Sequence, residues 1–271
     1  MIILNRFYIA SNNGLIDPSN KSIYYGGFNI YDVYLGREVY LCTTKGLYKA
    51  KDNSLERICS GSCWRISKID DMLIASLEGP ILYDVYRDEI ICDLRRYAGE
   101  YGWWFPHGDA HITDIKSFNG RYVASVEVGN LLVGKSLEGL KPIKFSEDMH
   151  NLLTYNNKLY IATASGVYYT EDLERFRLME GSRGYFHALD IWRDALVGHV
   201  ISDTPLRISE DGERWWTVQV KLPKPTFGTT GLAVINDILI YSTTSTYIFK
   251  ELENAEIIIG SHPMCRRIVL K

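Results

Sequence analysis

A short apolar strand returns seven times along this chain. The clear copies are Tyr8-Ile9-Ala10-Ser11, Tyr40-Leu41-Cys42-Thr43, Leu73-Ile74-Ala75-Ser76, Tyr122-Val123-Ala124-Ser125 and Tyr160-Ile161-Ala162-Thr163. Two looser copies follow, Leu196-Val197-Gly198-His199 and Leu239-Ile240-Tyr241-Ser242. The third residues of the copies, at 10, 42, 75, 124, 162, 198 and 241, are separated by 32, 33, 49, 38, 36 and 43 residues. A unit of about forty residues with several strands in it predicts a β-propeller, because one four-stranded blade cannot bury both its faces alone. The expected fold is therefore all-β, a seven-bladed propeller of four-stranded antiparallel blades. Six blades is the alternative, if the first copy is too incomplete to stand as a blade.

Seven such units use the whole chain of 271 residues, so a single domain over 1–271 is expected. The formal charge of -3 offers no basic stripe for nucleic acid. No run of eighteen apolar residues exists to span a membrane, and Met1-Ile2-Ile3-Leu4 is too short for a signal segment. A soluble, cytoplasmic monomer is the expectation. The five cysteines, Cys42, Cys59, Cys63, Cys92 and Cys265, are an odd number and are expected as free thiols. Cys42 stands where other copies carry Ala; Cys59 and Cys63 closing a short loop or binding metal is the alternative, against which the second ligand pair of a zinc site is missing.

The copy from Met149 to Met179 shows the grammar of one blade. Asn151 to Tyr155 and Lys158 to Thr163 read as strands joined through Asn156-Asn157, where Asn tolerates left-handed angles. Ser165-Gly166 and Glu171-Asp172 turn the chain twice more. Small residues in the second strand let neighbouring blades approach, and Tyr241 breaks that rule, so the seventh blade is expected to be looser or differently registered. The tail Arg266 to Lys271 is a strand candidate beyond the seventh blade, expected to pair with the N-terminal blade and close the ring.

The third turn carries a family resemblance. Ser209-Glu210-Asp211-Gly212-Glu213-Arg214-Trp215-Trp216 resembles the Asp-box, Ser/Thr-x-Asp-x-Gly-x-x-Trp, with Ser209, Asp211 and Trp216 on the pattern and Glu213 where the family has Gly. Weaker echoes stand at Thr170-Glu171-Asp172, with Phe176 nearby, and at Ala50-Lys51-Asp52. The chain is thus similar to Asp-box (BNR-type) β-propellers. The resemblance implies a structural hairpin in which Ser209, Asp211 and Gly212 shape the turn and Trp216 packs between strands.

Two features point to chemistry. The widest spacing holds an insertion from Arg95 to His111 that joins the third blade to the fourth at the channel-mouth face. Its Tyr101, Trp103, Trp104, Phe105 and His107 make a candidate binding surface for a protein or a glycan, and a flap over its own blade edge is the competing reading. Second, His111, His150 and His187 precede their markers by 13, 12 and 11 residues, which puts all three near the start of a first strand. Converging imidazoles would hold a divalent metal or serve acid–base chemistry, but a one-residue shift turns a strand side chain to the opposite face. Otherwise no cofactor is expected.

Enzyme signatures are missing: there is no phosphate-binding Gly-x-x-x-x-Gly-Lys loop, no Gly-x-Ser-x-Gly elbow and no His-Glu-x-x-His. Sialidases share the Asp-box propeller but carry a Tyr/Phe-Arg-Ile-Pro motif near the N-terminus, which this chain lacks. The sequence therefore favours a non-catalytic interaction module binding a protein or glycan at its channel mouth. A carbohydrate-active or metal-dependent enzyme using the three histidines is the alternative, and a structural component of a larger assembly is a third.

Overall fold

A computed structural model of the chain describes residues 3–51, 54–106 and 108–271. It is an all-β, seven-bladed propeller of four-stranded antiparallel sheets. The first strands of blades two to seven are Ile30–Leu35, Cys63–Ile69, Ile112–Phe118, Met149–Tyr155, Phe186–Trp192 and Leu232–Ile235. Every repeated apolar motif falls on the second strand of its sheet. Blade one is closed by the tail: Cys265–Leu270 is its first strand and pairs antiparallel with Phe7–Ser11, with Ile9 opposite Ile268. The N-terminal residues supply the other three strands, so both ends of the chain share one sheet.

By density of contacts the chain divides into two compact units. One holds residues 1–31, 165–167 and 178–271; the other holds 32–164 and 168–177. In the first, Phe7, Ile9, Ile240, Ile248 and Ile268 pack in one cluster, and Val197, Leu206, Leu239, Tyr241 and Phe249 in another. In the second, Ile74, Leu82, Ile112, Val126 and Leu132 form the core around blades three and four.

The small second-strand residues have the packing role their pattern implies. Ala10, Cys42, Ala75, Ala124 and Ala162 are completely buried. At Gly198 an added Cβ would sit 2.5 Å from the Phe186 ring. Tyr241 is not misregistered. It faces Tyr247 across the third strand, is fully buried, and its hydroxyl donates to the Pro223 carbonyl at 2.7 Å. A large ring is tolerated there because its one polar atom has a partner. The hydroxyl in the fourth place of the motif also recurs for a reason: Ser11 Oγ donates to Gly14 O and Thr43 Oγ1 to Gly46 O, closing the following turn.

Aspartates, two of them buried and Asp190 partly so, tie first strands together in pairs. One oxygen of each accepts the next residue's N–H, and the other accepts an N–H from the following blade. Asp32 takes Val33 and Ile66, Asp114 takes Ile115 and Leu152, and Asp190 takes Ile191 and Val234. Between the first two, Arg65 lies 3.5 Å from Asp32 and 3.2 Å from Asp114, all three being buried. Burial raises Asp32 to about 6 against the pull of Arg65. At Asp114 burial acts the same way, but Arg65, Lys116 and two backbone N–H groups outweigh it and hold the carboxyl below its ordinary value.

Two expectations are corrected. Cys42 and Cys63 are not free thiols but are bonded to each other, joining the second strand of blade two to the first of blade three, which leaves Cys59, Cys92 and Cys265 free. The sequence hid this because the two lie 21 residues apart on separate blades. The second correction concerns the turn at 209–216. Asp211 Oδ1 accepts the N–H groups of Glu213 and Arg214 at 2.8 Å each, and Gly212 takes φ 69°. The ring that packs inside is Trp215, 3 % exposed and 5.2 Å from Phe186, whereas Trp216 is 53 % exposed. The glycine and the buried aromatic each sit one place earlier than the pattern sets them, so the turn is contracted by a residue. Blade five repeats this geometry at Thr170, Asp172 and Phe176, with Leu173 at φ 64° in the glycine position and Phe176 stacked on Phe145. Asp52 of the third echo lies outside the described residues.

Candidate functional site

The insertion does not form one long loop. Arg95–Tyr101 is a short helix that ends at Gly102, whose φ of 68° suits a residue without Cβ. The turn aims Trp103 inward: it is 7 % exposed, joins the core of blades three and four, and donates from Nε1 to Asn130 Oδ1 at 2.8 Å. Trp103 is thus a structural anchor and no part of the exposed surface. Its neighbours Tyr101 and Trp104 stay outside, 47 % and 57 % exposed. Phe105 turns back and meets Trp64 and His111 edge-on at 5.3 and 4.7 Å. His107 lies outside the described residues.

The first strands of blades three to six share a device that sequence offsets cannot reveal. Each has a β-bulge near its start, and the extra residue is Trp64, Thr113, His150 or His187. A bulge leaves one residue unpaired and re-aims its side chain. His150 and His187 therefore occupy matching places, and their spacings to the markers differ by one because Ala162 pairs with Asn151, directly after the bulge, whereas Gly198 pairs with Leu189, one residue further on.

His111 lies two residues before the bulge of blade four. Its ring stacks on Trp64 with centroids 3.8 Å apart and planes 12° apart. His111 Nε2 lies 2.8 Å from Glu127 Oε2, and its buried Nδ1 meets no hydrogen-bond partner among the described residues. Beside it, His150 Nε2 lies 3.0 Å from Asp148 Oδ1. Ligand atoms of Glu127, Asp148 and His150 all stand within 4.8 Å of one another. Glu127 is carried by the turn into Gly129–Gly134, where Val128 takes φ 46°. That backbone conformation is unfavourable for a β-branched residue and fixes the turn that presents Glu127.

Of the three predicted histidines, His111 and His150 come to one cluster within the second unit. His187 lies in the first unit, where its Nδ1 is 3.1 Å from the Thr229 carbonyl and its ring faces Tyr185 at 5.1 Å. Glu127 and Asp148 went unseen in the sequence because a carboxylate in a turn has no periodic signature. A broad groove of about 640 Å³ also runs past Trp192, Arg193, Glu210 and Glu251 in the first unit. Its Arg193 and Glu251 pair with each other at 3.1 Å.

No family model matches the chain, and no curated protein does. Solved structures do match in fold. A computationally designed protein, Ika8, superposes with a TM-score of 0.64 at 12% identity, covering 97% of this chain and 86% of its own. Virginiamycin B lyase from Staphylococcus aureus gives 0.64 at 9% identity, with 87% and 84% covered. The extracellular domain of a one-component system, BT4673, from B. thetaiotaomicron gives 0.65 at 12% identity over 88% of this chain, which spans 35% of that one. At such identities the likeness is one of fold.

Proposed function

We propose that this chain is a non-catalytic, Asp-box-type propeller that binds a protein or a glycan where the first strands of blades three to five begin, with Tyr101 and Trp104 as its contacts. The observation that carries this reading is the division of labour in the insertion. Trp103 and Phe105 fasten the segment to the blades, while Tyr101 and Trp104 on either side remain open. Rigid, exposed aromatic rings bind either kind of partner at low entropic cost. The contracted turns at 170–176 and 209–215 support the Asp-box assignment.

A second reading, a metal-dependent or carbohydrate-active enzyme, draws support from the His–carboxylate cluster beside the insertion. The two readings separate in one experiment. The full chain is presented to a glycan array and to candidate protein partners, next to Trp104→Ala, Tyr101→Ala and Trp216→Ala variants. Binding that drops tenfold or more with the first two, but not with the equally exposed Trp216, supports the interaction module. Turnover of an arrayed glycan by the parent, abolished in His150→Gln, would favour the enzyme instead.

A further inference from the structure

The cluster formed by Glu127, Asp148, His150 and His111 has the composition and spacing of a cation site. The geometry points to a divalent transition-metal site, suited to zinc or manganese, in which Glu127, Asp148 and His150 are the direct ligands and His111 orients Glu127. This goes beyond the binding reading, since none of the four residues is an aromatic contact.

Zinc takes imidazole nitrogen and carboxylate oxygen at about 2.0–2.2 Å, so neighbouring ligand atoms stand about 3.0–3.5 Å apart. His150 Nε2 and Asp148 Oδ1, 3.0 Å apart, already meet that requirement. The remaining separations reach at most 4.8 Å, which small side-chain rotations close. One imidazole with two carboxylates suits borderline and harder divalent ions, and the absence of sulfur argues against copper(I).

His111 supplies the independent observation. It is held in a fixed plane by Trp64 and Phe105, sits 2.8 Å from Glu127, and is 2 % exposed. Ligating carboxylates are themselves held by hydrogen bonds from outside the metal's own ligands, and His111 Nε2 is placed to hold Glu127 in that way. Its buried Nδ1 has no partner among the described residues. Such unsatisfied buried nitrogen is costly unless the site gives something in return. Three protein ligands leave coordination positions open for water or for a donor group of a bound partner.

The test uses the full-length chain, stripped with chelator and titrated with Zn²⁺, Mn²⁺ and Co²⁺ by calorimetry. One equivalent of metal per chain is expected. Affinity should fall at least 100-fold in Asp148→Asn and in His150→Gln, and 10- to 100-fold in His111→Gln. Trp104→Ala should bind metal as the parent does, so failure of the partner reading leaves this result standing. The Co²⁺ form of the parent tests the ligands without any variant: a visible spectrum of nitrogen and oxygen ligation is expected. A thiolate charge-transfer band would assign the metal to a free cysteine, Cys59, Cys92 or Cys265, and overturn the proposal. So would no binding above the level of the His150→Gln variant, or binding that the variants leave unchanged while they keep the parent's melting temperature.

Discussion

The Trp64 indole lies flat against the His111 imidazole, with ring centroids 3.8 Å apart. The two come from the first strand of blade three and the approach to blade four, 47 residues apart in sequence. The stack fixes the plane of a ring whose Nε2 faces Glu127. Replacing Trp64 by Ala is expected to cost about 2–4 kcal/mol of stability. It should also weaken metal binding more than Phe105→Ala does, since Phe105 touches the ring only by its edge. Denaturant melts and calorimetry on the two variants check both statements.

Arg65 is the hinge of a buried charge triad with Asp32 and Asp114. Removing it strands two carboxylates away from water. Arg65→Ala should destabilise the protein by about 3–5 kcal/mol, and Arg65→Met, which restores volume without charge, should recover only part of that. Urea unfolding of both variants gives the comparison.

Asp32 and His199 give stability opposite dependences on pH. Asp32 has a folded value of about 6 against an ordinary 3.8. Its contribution is therefore full below pH 4 and is lost as pH rises through 6. His199, fully buried, has a folded value of about 4 against 6.5. Its contribution is full above pH 6.5 and is lost as pH falls through 4. His262, lowered by burial in the same direction, adds to the His199 effect. Between pH 4 and 6 the effects oppose each other, each on the order of 3 kcal/mol for Asp32 and His199. Asp32→Asn should make stability climb with pH across that range, and His199→Gln should make it fall or flatten. Melting temperatures at half-unit steps of pH will show the two slopes.

The contracted turn predicts unequal tryptophans. Trp215→Ala should cost about 3–5 kcal/mol, because its ring is buried against Phe186 and Gly198. Trp216→Ala should change stability by less than about 0.5 kcal/mol, its ring lying on the surface beside Arg214. Equal losses at the two positions would restore the uncontracted reading of the box.

Most of the fold was legible because blades repeat. Ala10, Ala75, Ala124 and Ala162 must be small where blades meet, and Ser11 and Thr43 close the turn that follows, local demands that leave a repeating trace in the sequence. The closing strand was legible too, since Arg266 to Lys271 carries the apolar run Ile268-Val269-Leu270 with no place in blade seven. What stayed hidden is set by geometry between copies. The Cys42–Cys63 bond, the aspartates that reach the next blade and the bulges at Trp64, Thr113, His150 and His187 depend on register, which a single sequence does not carry. The insertion showed a related limit. Trp103 and Trp104 are chemically alike, and only the left-handed turn at Gly102 decides which is buried. At the site, histidine spacing found His111 and His150 but also nominated His187, while Glu127 and Asp148 left no trace.

The proposed metal site rests on the closeness of Glu127, Asp148 and His150, whose ligand atoms lie within 4.8 Å of one another. Anomalous diffraction from crystals of the full chain soaked in Zn²⁺ or Mn²⁺ tests it most directly. One dominant peak is expected within bonding distance of Glu127, Asp148 and His150, with His111 against Glu127. A dominant peak at another group of residues, or none at this cluster at saturating metal, would contradict it.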